Sequence, residues 1–159
     1  MQIYLLRHGI AENAGPGRPD SERALTADGR DKLRRVLKRA RDAEITVVLL
    51  LASPLRRAVE TAEVASEVLD YPGKIVRTAA LLPDASPRDT WNEIRARRDE
   101  PGLLLASHEP LMSSLAAFLL GCPALQVDFK KAGLMRIDVE SFPPEPRGLL
   151  KWMLTPGVA

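Results

Sequence analysis

The chain has 159 residues, 23 Lys and Arg against 21 Asp and Glu for a formal charge of +2, and a hydrophobic fraction of 45%. That size and mix fit one domain with a full layered core, and the absence of a basic block interleaved with aromatics excludes nucleic acid as the expected partner. The lone Cys122 excludes an internal disulfide, and with neither a signal peptide nor a membrane-length apolar run the expected compartment is cytoplasmic, with no membrane partner.

The first element is the apolar, strand-favouring run Ile3-Tyr4-Leu5-Leu6, which stops at Arg7-His8-Gly9. It predicts a buried strand whose carboxyl end delivers a cation and an imidazole to a crevice, where Gly9 lets the backbone turn and a ligand come close. A Gly- and Pro-rich loop over 10–20 follows. Thr26 then reads as the N-cap of a helix running to about residue 43, with Leu33, Val36, Leu37 and Ala40 inward and its many arginines and lysines forming a solvated face. The unbroken apolar run 46–51 suits a parallel strand covered on both sides. Ser53-Pro54 reads as the start of a second helix, with Ser53 as cap and Val59, Ala62 and Leu69 inward. A short strand at Ile75-Val76, a loop over 82–87, a helix over 87–99 and a strand over 103–107 come next. That strand ends in His108-Glu109-Pro110, and a helix over 110–120 is stopped by Gly121 and Pro123. Cys122 reads as a small buried residue after this helix. The stretch 134–139 alternates as a half-exposed strand, with 149–154 as its antiparallel partner across Pro143, Pro144 and Pro146.

The order β-α-β-α-β-α-β-α-β-β predicts a single domain over 1–159: a three-layer α/β/α fold on a mostly parallel sheet. Its ligand site is expected at the strands' carboxyl ends. There lie Arg7, His8 and Gly9, then Ser53, Arg56 and Arg57, then Ser107, His108 and Glu109. Guanidiniums and imidazoles converging on one crevice beside a helix amino terminus describe a phosphate site, because arginine binds phosphate oxygens bidentately and stays charged at working pH. A neutral imidazole among them is also a nucleophile. Phosphoryl transfer onto it divides hydrolysis into two easier steps, with the cations stabilising charge on the equatorial oxygens. A zinc site is the weaker use of the two histidines, since no His-x-x-x-His or Cys pair supplies a third ligand and the arginines repel a cation.

Leu6-Arg7-His8-Gly9 resembles the signature of the histidine phosphatase superfamily, the phosphoglycerate mutase-like proteins. Ser53-Pro54-Leu55-Arg56-Arg57-Ala58-Val59-Glu60-Thr61-Ala62 resembles its second motif and Ser107-His108-Glu109-Pro110 its third. Length and element order are most similar to the SixA-like branch, the phosphohistidine phosphatases. The resemblance implies a phosphoglycerate mutase-like fold, His8 as transiently phosphorylated nucleophile, Arg7 and Arg57 as grips on the phosphoryl oxygens, and His108 as a further hydrogen-bond donor. It also implies that neither a metal nor an organic cofactor is needed. Arg57 is preferred to Arg56 because it directly precedes Ala58 of the motif and adjacent helical residues diverge by roughly 100°. Gly9, Ser53 and Glu109 join the substrate-binding set, and Arg23 matches an arginine common in SixA-like sequences that would stand at the pocket rim.

Larger members of the superfamily use a glutamate as general acid. Here that region reads Leu81-Leu82-Pro83-Asp84-Ala85-Ser86-Pro87, where Asp84 is the nearest carboxyl; Glu12 and Glu109 are further candidates. An alcohol leaving group, with a pKa near that of water at about 15.7, needs such an acid. Imidazole already protonated on its other nitrogen leaves as a neutral base whose conjugate acid titrates at about 6.5. The missing glutamate therefore favours phosphohistidine on a protein, a histidine phosphotransfer domain or a phosphocarrier, as substrate. A small phosphate ester is the alternative, and a phosphate-binding module without turnover is a rival from another class.

Overall fold

A computed structural model of the chain describes all of residues 1–159. Its elements are β1 (Gln2–Arg7), α1 (Ala27–Asp42), β2 (Leu49–Ala52), α2 (Arg56–Val68), β3 (Ile75–Arg77), α3 (Pro87–Arg95), β4 (Gly102–Ser107), α4 (Leu111–Leu119), β5 (Leu134–Asp138) and β6 (Leu149–Leu154), with short 3-10 turns at Asp20–Glu22 and Ala79–Leu81. The six strands form one sheet in the order β3-β2-β4-β1-β5-β6. Strands β1 to β4 are mutually parallel, while β5 runs antiparallel to both β1 and β6, so the sheet is mixed with one reversed strand. No helix is long and apolar enough to cross a membrane.

Alternation along β1 explains the three layers. Ile3 and Leu5 face α3 and α4, packing with Trp91, Ile94, Leu111 and Leu115, while Tyr4 and Leu6 face α1 and α2, packing with Leu33, Leu37, Ala62 and Ala65. Each fully buried large side chain contributes about 1.5–3 kcal/mol relative to exposure. Strand register then aligns the motifs. Ala106 of β4 lies opposite Leu6 on one side and Ala52 on the other, so Arg7, Ser53 and Ser107 leave the sheet at one level.

The helix starts follow local chemistry in two cases. The Thr26 hydroxyl accepts from the Gly29 N–H at 3.0 Å, and the Ser86 hydroxyl accepts from the Asp89 N–H at 3.1 Å, caps worth about 1 kcal/mol each. Ser53 is not a third cap. Helix α2 begins at Arg56 with Leu55 in the cap position and no side-chain cap, because the Ser53 hydroxyl is engaged by His108. Strand β2 is shorter than its apolar run: Val48 is partly solvent-exposed, and pairing starts at Leu49. Helix α3 ends at Arg95, where the chain tightens into turns. Cys122 is exposed rather than buried, since Gly121 turns the chain outward with φ +62°.

Gly9 is required for a reason the sequence does not show. A Cβ there would sit 2.8 Å from Leu33 Cδ1 and 3.0 Å from the Gly29 carbonyl, and one on Gly29 would sit 2.2 Å from the Ile10 carbonyl. The two glycines let the first turns of α1 press directly onto the chain leaving β1. At Gly29 backbone alone excludes a side chain, and at Gly9 the Leu33 side chain and the Gly29 carbonyl crowd one together.

Candidate active site

Arg7 and His8 are fixed mainly by backbone bonds from two sides. The Arg7 N–H donates to Gly133 O at 3.0 Å, the His8 N–H donates to Ser107 O at 2.9 Å, and the single N–H of Ala132 is shared between Arg7 O (3.2 Å) and His8 O (3.1 Å). Ala132 is buried and holds φ +62°, a left-handed conformation that a non-glycine residue adopts only when its surroundings enforce it.

The His8 ring is oriented by its own strand end. Nδ1 lies 2.7 Å from Gly9 O. A carbonyl only accepts, so Nδ1 carries the proton and Nε2 keeps its lone pair. Burial, opposed by the Gly9 bond and reinforced by the charges of Arg57, Arg7 and Lys131, pushes the imidazole down to about 4, so the ring is neutral at physiological pH. The Gly9 N–H in turn donates to Thr61 Oγ1 at 3.2 Å, and the Thr61 hydroxyl donates to Arg57 O at 2.7 Å. This buried threonine ties the His8–Gly9 peptide to the first turn of α2.

Across the crevice, Arg57 is buried and Arg56 is exposed, pairing with Glu60 at 3.1 Å. The two arginines of the pocket are held alike. Arg7 Nη1 donates to Phe129 O at 2.6 Å, and Arg57 Nη1 donates to Asp20 O at 3.0 Å. In both, Nε is buried without a protein partner. Arg7 is pinned by one terminal nitrogen, while Arg57 also pairs through Nη2 with Asp20 Oδ2 at 3.2 Å; in each the unpartnered Nε leaves the Nε–Nη2 edge, the side-on fork that matches two oxygens of a phosphoryl group. Arg7 is pulled below its ordinary value by burial, with the charges of Glu109 and Asp128 opposing.

His108 is completely enclosed, its ring centroid 5.2 Å from that of His8. Its Nε2 lies 2.7 Å from the hydroxyl of the equally buried Ser53, which also accepts the Leu55 N–H at 3.3 Å. The Ser53 hydroxyl can donate to His108 Nε2, the arrangement that puts the histidine proton on Nδ1, a buried nitrogen with no protein partner. Burial first, then the His8 and Arg57 charges, push His108 down to about 3, while Asp20 opposes. One neutral nucleophilic nitrogen and three unpartnered buried nitrogens, on Arg7, Arg57 and His108, therefore share a crevice at the sheet edge. Such a set can accept a phosphoryl group and hold its oxygens.

The other expected residues are placed differently. Arg23 stands one residue back from the pocket, donating from Nε to Glu12 O at 2.6 Å and pairing with Asp20 at 2.9 Å. The Glu109 carboxylate accepts the Ser113 N–H and hydroxyl, both at 2.7 Å, and so closes the first turn of α4 instead of facing a ligand. Asp84 is exposed in the turn before α3 and has no hydrogen bond or ion pair; the Ser107 hydroxyl anchors that turn through Leu81 O at 2.6 Å. Sequence reasoning missed Asp20, Thr61, Phe129 and Ala132. Only the Arg57-to-Thr61 spacing of four, one helical turn, carried a signal. A concavity of about 710 Å³ runs along α4 past Phe118, Leu125, Val127 and Pro146, and none of Arg7, His8, Arg57 or His108 lines it. No group of three or more His, Cys, Asp or Glu with metal-holding geometry is present.

The family model described as histidine phosphatase superfamily (branch 1) matches residues 3–81. Phosphohistidine phosphatase SixA of Escherichia coli K12 is 26% identical over 163 residues, an alignment that spans 98% of this chain and 94% of that protein. An uncharacterised protein of a Picosynechococcus strain is 29% identical over 138 residues, covering 85% and 83% of the two chains. Among solved structures, the protein histidine phosphatase SixA complexed with tungstate superposes with a TM-score of 0.88 at 25% identity, covering 99% of this chain and 98% of that one.

Proposed function

The chain belongs to the histidine phosphatase superfamily, on its SixA-like side, and from that premise we propose that it hydrolyses phosphohistidine carried on another protein. The observation that carries this reading is the state of His8: proton fixed on Nδ1 by Gly9 O, ring neutral, Nε2 free for attack. In the first step the Nε2 lone pair forms a bond to phosphorus while the substrate's P–N bond breaks, and the substrate imidazole, protonated on its other ring nitrogen, leaves with that electron pair as a neutral base. Arg7 and Arg57 hold the equatorial oxygens through their Nε–Nη2 edges, and His108 Nδ1–H adds a third donor. Water then attacks the phosphorus of phospho-His8, the P–Nε2 bond breaks with its electron pair returning to Nε2, and the water's proton passes to a phosphoryl oxygen as inorganic phosphate leaves.

This substrate fits the lack of a positioned acid. Asp84 makes no contact that would aim it at a leaving group, and a neutral imidazole leaves without one. One SixA structure similar to this chain is a complex with tungstate, a tetrahedral oxyanion, which supports reading this crevice as a phosphoryl site. Protein cations alone supply the charge in this mechanism, so it proceeds without metal.

The test compares a histidine-phosphorylated phosphocarrier with para-nitrophenyl phosphate, using wild type and His8→Ala after dialysis against chelator. Fast dephosphorylation of the protein, slower ester hydrolysis, an acid-labile phosphoenzyme and loss of all three in the variant are expected. Preferential turnover of the ester would move the assignment to a small-molecule phosphatase. Phosphate binding without any turnover would overturn catalysis altogether.

A further inference from the structure

The pocket contains one anion that the proposed reaction does not use. Asp20 lies in the 3-10 turn Asp20–Glu22 of the loop between β1 and α1 and faces the outer end of Arg57. Its backbone carbonyl accepts from Arg57 Nη1 at 3.0 Å, and its Oδ2 stands 3.2 Å from Nη2. Its other oxygen, Oδ1, is held by Arg23 Nη1 at 2.9 Å, while Arg23 Nε is anchored on Glu12 O at 2.6 Å. The carboxylate is therefore clamped between two guanidiniums, one turned inward and 7% exposed, the other tied back to the loop.

We propose that Asp20 is a positioning residue for Arg57 and the internal counter-charge of the pocket: it occupies the end-on fork of the guanidinium, reserves the Nε–Nη2 edge for the phosphoryl group, and loosens the hold on product phosphate. The inference rests on reading the pocket as a phosphoryl site. The geometry supports both halves. An arginine on a long stem offers two forks, and only an occupant on one of them decides which faces the ligand. Asp20 supplies that occupant with a backbone and a side-chain oxygen together. Its charge also lies on the far side of the same guanidinium that grips the phosphoryl oxygens. A dianion bound at the Nε–Nη2 edge is repelled by it through a partly solvated medium, and release of phosphate is eased. The hydrogen bond from Arg23, strengthened by the Arg57 charge, holds Asp20 below the usual carboxylate range, so the counter-charge persists through neutral pH.

Asp20→Asn leaves the backbone carbonyl and one side-chain oxygen for Arg57 while it removes the charge and the acceptor that Arg23 uses. Asp20→Ala removes the side-chain contact as well. Binding of inorganic phosphate and of tungstate by calorimetry, and product inhibition during turnover, are measured on the full chain. Asparagine is expected to tighten phosphate about three- to tenfold, the range for one unit charge acting on a dianion some 6 Å away in a medium close to water. It should leave kcat within about threefold. Alanine is expected to lower kcat about tenfold or more while phosphate binds no more weakly than in wild type. That split is one a merely structural residue does not produce. Weaker phosphate binding in parallel with lost kcat in both variants would overturn the proposal, as would two variants indistinguishable from wild type. Asp20 is largely exposed, so both proteins should fold, which thermal unfolding checks. The binding arm needs no turnover, so a wild type that binds phosphate yet leaves phosphohistidine intact would refute the proposed function and still decide on Asp20.

Discussion

Replacing Thr61 with valine keeps the shape of the side chain and deletes one oxygen. That oxygen is the sole acceptor for the Gly9 N–H and donates to Arg57 O, and Thr61 is fully buried. Without it the Gly9 N–H is left unsatisfied away from water, at a cost of about 1–3 kcal/mol. The Arg57 carbonyl loses less, because it still receives its helical N–H. In a domain of this size the loss lowers Tm by roughly 3–9 °C. The kinetic effect follows from position. Gly9 N belongs to the peptide that carries His8, and Gly9 O orients its ring. Freeing that peptide misplaces Nε2, and misplacement on the ångström scale costs up to about a hundredfold; a tenfold to hundredfold fall in kcat is expected. Thr61→Ser is the partner experiment. It restores the hydroxyl and removes a buried methyl, worth about 1 kcal/mol, with kcat within about twofold of wild type. Urea unfolding and steady-state kinetics on both proteins decide. A valine variant as stable and as fast as the serine variant would refute the claim that this hydroxyl carries the site.

The chain has two histidines, so isotope-labelled imidazole spectra yield two titration curves. Both should stay neutral until well below pH 5, with midpoints near about 4 for His8 and about 3 for His108. A midpoint near the ordinary 6.5 for either would contradict the burial argument. Stability follows with a defined sign. The folded-state values are depressed, so the unfolded chain binds more protons between about pH 6.5 and pH 4. The stabilisation is complete above pH 6.5 and is lost as the pH falls, by about 3 kcal/mol for His8 alone; urea midpoints at pH 7 and pH 4.5 measure it. Arg57→Lys replaces a planar fork with a point charge and should reduce kcat/KM about a hundredfold, and a loss below fivefold would argue against bidentate grip. Asp84→Asn should leave turnover of phosphohistidine within about twofold, whereas a tenfold loss would identify Asp84 as the general acid after all.

Much of this architecture is written in local pattern. Unbroken apolar runs give the central strands, a 3.6-residue period gives α1 and α2, and Gly and Pro mark the ends. The pairing of His8 with His108 is legible for the same reason: each directly follows a strand, and parallel neighbours end at one level. The step of roughly 100° between successive helical residues lets only one of Arg56 and Arg57 face the pocket, and the resemblance to the family's second motif is what picks Arg57. Ser53 shows where such reasoning fails. A serine before a proline at a helix start has the composition of a cap. Its hydroxyl is instead drawn 2.7 Å from His108, a residue 55 positions away. The long-range contact wins because a buried ring nitrogen without a partner costs more than an uncapped helix end open to water.

The remaining parts of the site are held by loops that carry no period at all. Arg7 comes from β1 and Arg57 from α2, yet each is pinned at Nη1 by a carbonyl from elsewhere, Phe129 before β5 and Asp20 before α1. A backbone carbonyl has no side-chain identity, so any residue at those positions supplies the same acceptor and no motif records it. What those positions need is a chain path. Before β5 the path depends on the left-handed Ala132, whose N–H reaches both Arg7 O and His8 O. Before α1 it depends on Gly29, which lets the helix press on the chain beyond Gly9. The motifs therefore supply the reactive groups, while the two loops fix the direction in which those groups point. Turning the Arg7 or Arg57 guanidinium by one fork would leave every motif residue in place and remove the side-on grip that the proposed phosphoryl transfer requires.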